Sequence, residues 1–410
     1  MFIPYAKHVV TEEQIKAVEE VMREGWLGLG KRGAELESKL APWFGRKDGV
    51  LVNSGSSANF LAIQSMMSPN AGQCRLKKGD FVVVPICGFP TTVNPIIQAG
   101  LVPIFIGVDI GTYNLNVDDL MKTVSYRPKA IMFAHALGNP ANMNAICDFC
   151  DKTGAIMIED CCDAISAKYD GKFVGSFGRV ATLSMYSAHQ LPMGEGGFVT
   201  GTEQIVKIVR SMRDWGRDCT CYGKGSQQKD GMCGERFSDW LNLGIRVDHK
   251  YVYGEIGYHM APTEMQAAIG LCEEANFEDN IEARNKNFDE LYNIFSEYKN
   301  LFYLPVVESE ADPAWFVFPV TLKDIGATKR EHIVQYFEEN GIQTRPYFAG
   351  NILRHPAYKN LDIYGVCANM EVADYITKNT FFIGVHQHIG EKELEHIRLT
   401  LRKYIESELF

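Results

Sequence analysis

The 410-residue sequence has no uninterrupted apolar run of the ~18 residues that a membrane-spanning helix needs, so no membrane partner is expected. It also lacks a surplus of positive charge. Lysine and arginine number 41 against 51 aspartates and glutamates, a formal net charge of -10, which leaves nothing to neutralise a nucleic-acid backbone, although a local basic pocket for one nucleotide stays possible. The opening residues MFIPYAKHVV do not follow the charged-then-apolar pattern of an export signal, and the expected compartment is cytoplasmic. Nor is there an even cysteine framework: 11 cysteines in a long chain without a leader argue against structural disulfides. What is present is globular in balance, 46% hydrophobic and 22% charged, with length for a large domain and a smaller one.

Thr11 and Gln14 form a capping-box pattern that predicts a helix ending at Gly25, with Ile15, Val18 and Met22 as its apolar face. From about residue 50 to 200, short runs rich in β-branched residues alternate with helical stretches. FVVVP (81–85), VPIFI (102–106), AIMFAH (130–135), AIMIED (155–160) and ATLSM (181–185) show no polar alternation, which suits strands covered on both faces and predicts a mostly parallel α/β sheet. Ligands of such sheets gather at the carboxyl ends of the strands. A Gly-, Cys- and Asp-rich stretch follows at 213–257, with KGSQQKDG (224–231) as an exposed excursion. A helical pattern starts near Ala261, and WFVFPV (315–320) reads as a strand. The expected division is a large domain over 1–275 and a small C-terminal one over 276–410. Cys74, Cys87, Cys147, Cys150, Cys272 and Cys367 read as small core hydrophobes.

Four predicted strand ends carry groups that packing does not require. Asn53-Ser54-Gly55-Ser56-Ser57 opens an apolar helix, a turn suited to a phosphate, although a serine-rich helix cap is the more frequent explanation of such a turn. Phe89-Pro90-Thr91-Thr92 puts an aromatic at the second end. Glu159-Asp160-Cys161-Cys162-Asp163 puts carboxylates and thiols at the third, and a carboxylate there could pair with a protonated pyridine nitrogen. The fourth is Ser184-Met185-Tyr186-Ser187-Ala188-His189, followed by MGEGG.

This ordered set, together with GYHMAPTEMQAAIGL, resembles the nucleotide-sugar aminotransferases of type I pyridoxal phosphate fold, from about residue 25 to the end. The resemblance implies an aspartate-aminotransferase-like large domain and a small α+β C-terminal domain, assembled as a homodimer. It places Gly55, Ser56, Ser57 and Ser184 at the cofactor phosphate, Phe89 over the pyridine ring and Asp160 at its nitrogen. Asp163 stands where aminotransferases often have glutamine; orienting the ring and capping a following helix are both open. His259 stands for an asparagine that reaches the phosphate of the neighbouring subunit.

The departure from the family pattern lies at His189, which occupies the position of the lysine that anchors the cofactor. An imidazole cannot form that Schiff base, so the resemblance implies non-covalent pyridoxamine 5'-phosphate and the sugar 3-dehydratase branch. With an ordinary pKa near 6.5, His189 would be the catalytic base. The cysteines resemble the iron–sulfur 3-dehydratases that act on CDP-linked 4-keto-6-deoxyglucose in 3,6-dideoxysugar biosynthesis, the sugars of lipopolysaccharide O-antigen. That likeness implies a 2Fe-2S cluster on Cys162, Cys219, Cys221 and Cys233, and a separate flavin or iron–sulfur reductase as electron donor. Cys161 competes with Cys162, but strand alternation turns Cys162 to the side of Asp160. The tract 222–232 between Cys221 and Cys233 is longer than the family spacing. A cluster-free dehydratase using glutamate, a homologue with an altered sugar reaction, and a non-catalytic nucleotide-sugar or redox sensor are the alternatives.

Overall fold

The computed structural model describes residues 1–219, 236–323 and 329–408. All five apolar runs form strands, and with Gly49–Val52, Gly197–Gly201 and Gly365–Val366 they build an eight-stranded sheet. Its order is Gly49–Val52, Gly197–Gly201, Val180–Ser184, Ile156–Asp160, Ala130–Ala134, Phe81–Pro85, Val102–Ile106, Gly365–Val366. Gly197–Gly201 runs against both neighbours, and the other pairings are parallel. The strands at 102–106 and 180–184 are buried at every position, as continuous apolar runs demand when both faces are covered. The parallel strands bring Val52, Pro85, Ala134, Asp160 and Ser184 to one edge. Helices Gly55–Met67 and Pro90–Gln98 start just beyond two of those ends.

The C-terminal third forms an antiparallel four-stranded sheet in the order Phe302–Tyr303, Val317–Leu322, Thr380–Gly384, Arg345–Pro346. Phe288, Phe295, Phe318, Phe337 and Phe381 share its core with Ile3 from the N-terminus. Gly365–Val366 returns to pair with the outer edge of the large sheet.

Three expectations need correction. The capping box on Glu12–Glu24 and its Gly25 terminus form, but the helix buries Gln14 and Val21 while Ile15 and Met22 are exposed. The reason is polar: Gln14 Nε2 donates to Glu273 Oε1 at 2.6 Å, which turns that face to helix Glu264–Ala275. The strand read from Trp315 begins at Val317, because the Trp315 and Phe316 amides bond to Asn285 Oδ1 and the Leu137 carbonyl instead of a ladder partner. Of the six cysteines read as core, Cys87 is buried and the other five are half-buried. No helix among the described residues is long and apolar enough to cross a membrane.

Candidate active site

A cavity of about 650 Å³ opens at the carboxyl edge of the large sheet, walled on its far side by residues of the C-terminal third. Gly55, Ser56, Phe89, Asp160, Cys162, Asp163, Ser184 and His189 all line it. Among the described residues no lysine does.

Asp160 ends its strand buried, with its carboxylate held from three directions. Oδ2 accepts from Asn59 Nδ2 and Thr92 Oγ1, both at 2.8 Å, and Oδ1 accepts from the Cys162 amide at 3.1 Å. Asn59 is itself fixed by Thr182 Oγ1, which donates to its Oδ1 at 2.6 Å. A carboxylate oxygen can accept two bonds, so Oδ1 keeps room for a pyridinium N–H. Phe89, 52% exposed, presents its ring at the head of helix Pro90–Gln98 and meets Phe348 edge-on at 5.8 Å.

The other end of the cavity suits a phosphate. Ser54 caps helix Gly55–Met67 by accepting from the Ser57 amide at 3.1 Å, and that helix start turns free amides and a positive dipole end toward Ser56 and Ser184. Position 55 must be glycine here, because a Cβ would lie 2.6 Å from Ser184 Cβ. Ser57 does not line the cavity; its hydroxyl donates to Asn53 Oδ1 at 2.6 Å and serves the cap. The cap and the cradle are thus both present, divided among neighbouring serines. Together with Asp160 and Phe89, these residues fit pyridoxamine or pyridoxal phosphate.

His189 lies between. Its Nδ1 is buried, lies 3.4 Å from Asp163 Oδ1 and is not aligned for a hydrogen bond, while its ring stacks on Phe316 at 4.8 Å with planes 14° apart. Burial first, then the Arg284 charge, push its pKa down to about 3, with the Cys162 carbonyl acting the other way. Burial and then the Asp160 carboxylate push Asp163 up to about 8, against a bond from the Leu137 amide. The two shifts favour a neutral imidazole beside a carboxyl group that holds its proton more tightly than an ordinary aspartate. The segment after Asp163 is turn leading to strand Lys168–Tyr169, so Asp163 has no following helix to cap.

Cys161 and Cys162 diverge. Cys161 is fully buried among Phe44, Ala181 and Leu183, whereas Cys162 lines the cavity. Burial, and next Asp160, push the Cys162 thiol well up. Cys219 Sγ lies 3.6 Å from His249 Nε2 and does not line the cavity. Cys221 and Cys233, with the KGSQQKDG tract, lie outside the described residues. His259 also stands away from the cavity, exposed and stacked on Trp215 at 4.3 Å.

Sequence reasoning passed over Asn59, Thr92, Phe316 and Arg284. Thr92 sits inside a quoted motif and Asn59 one helical turn after the serine turn, so a search for partners of Asp160 on those helices could have found them. Phe316 and Arg284 carried no local signal.

Comparison with known proteins settles the family. The sequence matches the DegT/DnrJ/EryC1/StrS aminotransferase family over residues 8–402. The chain belongs to that family. Among DegT/DnrJ/EryC1/StrS relatives, it is 39% identical to the lipopolysaccharide biosynthesis protein RfbH of Salmonella typhimurium, over 96% of this chain and 90% of that protein. It is 37% identical to dTDP-4-dehydro-2,6-dideoxy-D-glucose 3-dehydratase of Saccharopolyspora spinosa, over 97% and 85%. The solved structure of E. coli GDP-4-keto-6-deoxy-D-mannose-3-dehydratase with bound hydrated PLP superposes with a TM-score of 0.86 at 29% identity, covering 98% of this chain and all of that one. The fold is accordingly that of the PLP-dependent type I enzymes.

Proposed function

We propose that this DegT/DnrJ/EryC1/StrS protein is a pyridoxamine phosphate-dependent 3-dehydratase of a nucleotide-linked 4-keto-6-deoxyhexose, with CDP the preferred nucleotide. The observation that carries the reading is a cavity that no lysine lines among the described residues, in which His189 lies between an anchored Asp160 and a serine-lined helix start. The 3-dehydratases among its relatives support the reaction class.

Bound pyridoxamine phosphate supplies an amine that can link to the 4-keto carbon and a ring that can take up the electron pair released beside it. Ser56, Ser184 and the start of helix Gly55–Met67 hold the phosphate. Asp160 accepts the ring N–H and keeps that nitrogen charged, and Phe89 covers the ring face. His189, neutral because it is buried next to Arg284, takes the proton from the carbon bearing the amine. Asp163, whose pKa is pushed up to about 8 by burial and then by Asp160, would donate a hydrogen bond within the same site when it carries its proton. The hydroxyl at sugar carbon 3 would then leave as water, using the proton that His189 holds.

The reading includes a 2Fe-2S cluster on Cys162, Cys219, Cys221 and Cys233, one-electron delivery from a separate reductase, and a homodimer completed by His259. Its support is the thiol set in the sequence and the orientation of Cys162 into the cavity. A second reading, a cluster-free enzyme that regenerates its amine with glutamate, is favoured by the structural likeness to GDP-4-keto-6-deoxymannose-3-dehydratase with a trapped PLP-glutamate geminal diamine, at 29% identity and a TM-score of 0.86.

Anaerobically prepared protein separates the two. Iron and acid-labile sulfide in equal amounts, an EPR signal after dithionite and no turnover with glutamate are expected for the first reading. Glutamate-driven turnover without iron establishes the second. Mass spectrometry on CDP-, dTDP- and GDP-4-keto-6-deoxyhexoses, with the two electrons supplied in one arm by a reduced flavin or iron–sulfur reductase and in the other by pyridoxamine phosphate and glutamate, should show loss of one oxygen, most rapidly with CDP; no loss with any of them in either arm overturns both.

A further inference from the structure

The segment that carries His189 is tied down from outside the cavity. Gln190, fully buried, donates from Nε2 to the Asp163 carbonyl and to the Ala314 carbonyl, the latter at 2.9 Å. Arg284, buried on helix Phe277–Ser296, donates from one guanidinium nitrogen to the His189 carbonyl at 3.3 Å and from another to the Phe316 carbonyl at 3.2 Å. Phe316 is the ring on which the imidazole stacks.

The strap 313–316 is fastened on both sides. Neighbouring Asn285 bonds the Pro313 carbonyl at 2.9 Å and the Trp315 amide at 3.1 Å, while the Ala314 and Phe316 amides bond the Gly138 and Leu137 carbonyls at 3.0 and 2.9 Å. Leu137 is held in the left-handed region, φ 59° and ψ 20°, which a branched apolar residue adopts only when its surroundings impose it. Its amide is the one that reaches Asp163.

Among the described residues no carboxylate forms an ion pair with Arg284. Burying a guanidinium on two main-chain carbonyls is expensive, and an apolar side chain of the same volume would serve packing as well or better. What the apolar replacement could not do is join the carbonyl of His189 to that of Phe316. We propose that Arg284 is a positioning residue: its forked guanidinium locks these two carbonyls together, holds the imidazole–phenyl stack in one geometry and so aims His189 at the reacting carbon. This rests on His189 being the base.

Arg284→Met keeps an unbranched, flexible side chain, shorter than arginine, and removes both bonds. We expect kcat for deoxygenation to fall about 100-fold, the scale of a base displaced by ~1 Å, with KM for the nucleotide sugar and pyridoxamine phosphate affinity changed less than about twofold. In cofactor-free protein at a fixed pH of about 7, diethyl pyrocarbonate should modify His189 several-fold faster in this variant, followed by peptide mass spectrometry. Arg284→Lys retains one donor and should recover part of both effects; it also keeps the test available if the methionine variant does not fold. Unchanged His189 reactivity in the variants overturns the proposal, and so does a loss of kcat equal in both variants and matched by the loss of melting temperature. If reactivity changes as expected but wild-type protein deoxygenates no sugar, Arg284 still fixes the imidazole, but its role in aiming a base falls together with the proposed function.

Discussion

The two ends of the cavity are held in place by different parts of the chain. Asp160 is fixed by Asn59, Thr92 and the Cys162 amide, all within the first α/β units. His189 is fixed by Arg284 and Phe316, and its neighbour Gln190 by Ala314, all three arriving from the C-terminal third. The anchor of the cofactor nitrogen is therefore a product of the large sheet, to which the C-terminal third adds the contact of Phe348 with Phe89, whereas the base end depends on docking of two sheets. Disturbing the C-terminal third should impair turnover before it impairs cofactor retention.

The sharpest break in that comparison is His189→Asn. It should lower deoxygenation by about 10³-fold, within the range of a lost general base, while ultraviolet absorbance still shows bound pyridoxamine phosphate. Asp160→Ala should do the opposite. Cofactor affinity, measured by fluorescence quenching or calorimetry, should fall about 100-fold, because an ion pair to the ring nitrogen is lost and Asn59 and Thr92 are left without their acceptor.

Acid should separate the two ends as well. Burial, and then the nearby Arg284, push His386 down to about 4, while its Nε2 lies 3.1 Å from the Pro4 carbonyl. A histidine with a depressed folded pKa contributes its full stability above ~6.5, and the contribution is lost as pH falls toward 4. His388 and Lys7 act in the same sense as Arg284, so no carboxylate neighbour offsets the loss. The shift sets an upper bound of about 3 kcal/mol, and about half of it is a reasonable expectation. The melting temperature of wild-type protein should decline between pH 6.5 and 4, and His386→Gln should flatten that decline. The smallest effect is expected for Thr92→Val, which removes one of two donors to Asp160 Oδ2 and should weaken cofactor binding by about 1 kcal/mol, roughly fivefold.

Much of this architecture was legible before folding. Five apolar runs became strands because their unbroken β-branched character admits only a layer covered on both faces. The strand ends at Ser54, Phe89, Asp160 and Ser184 converge because parallel strands joined by crossover helices all finish on the same edge. Local pattern was a poorer guide where a single polar contact outweighed it. Gln14 took the place of Ile15 on the buried face because Glu273 was waiting on a helix some 260 residues away, and no window of sequence spans that distance. The strand expected from Trp315 lost its first two residues to Asn285 and Leu137 for the same reason.

The order of the motifs and a histidine in the lysine position were properties of the sequence itself, since they depend on residue type and spacing along one chain. The surroundings of that histidine were decided only in three dimensions. Its low pKa comes from partial burial and from a guanidinium 95 residues further on, its ring is set by a phenylalanine on a C-terminal strap, and its carboxyl neighbour is pushed up to about 8 by burial and then by Asp160. Charge states and ring orientations are set by what lies within a few ångströms, and at this site those neighbours come from distant parts of the chain.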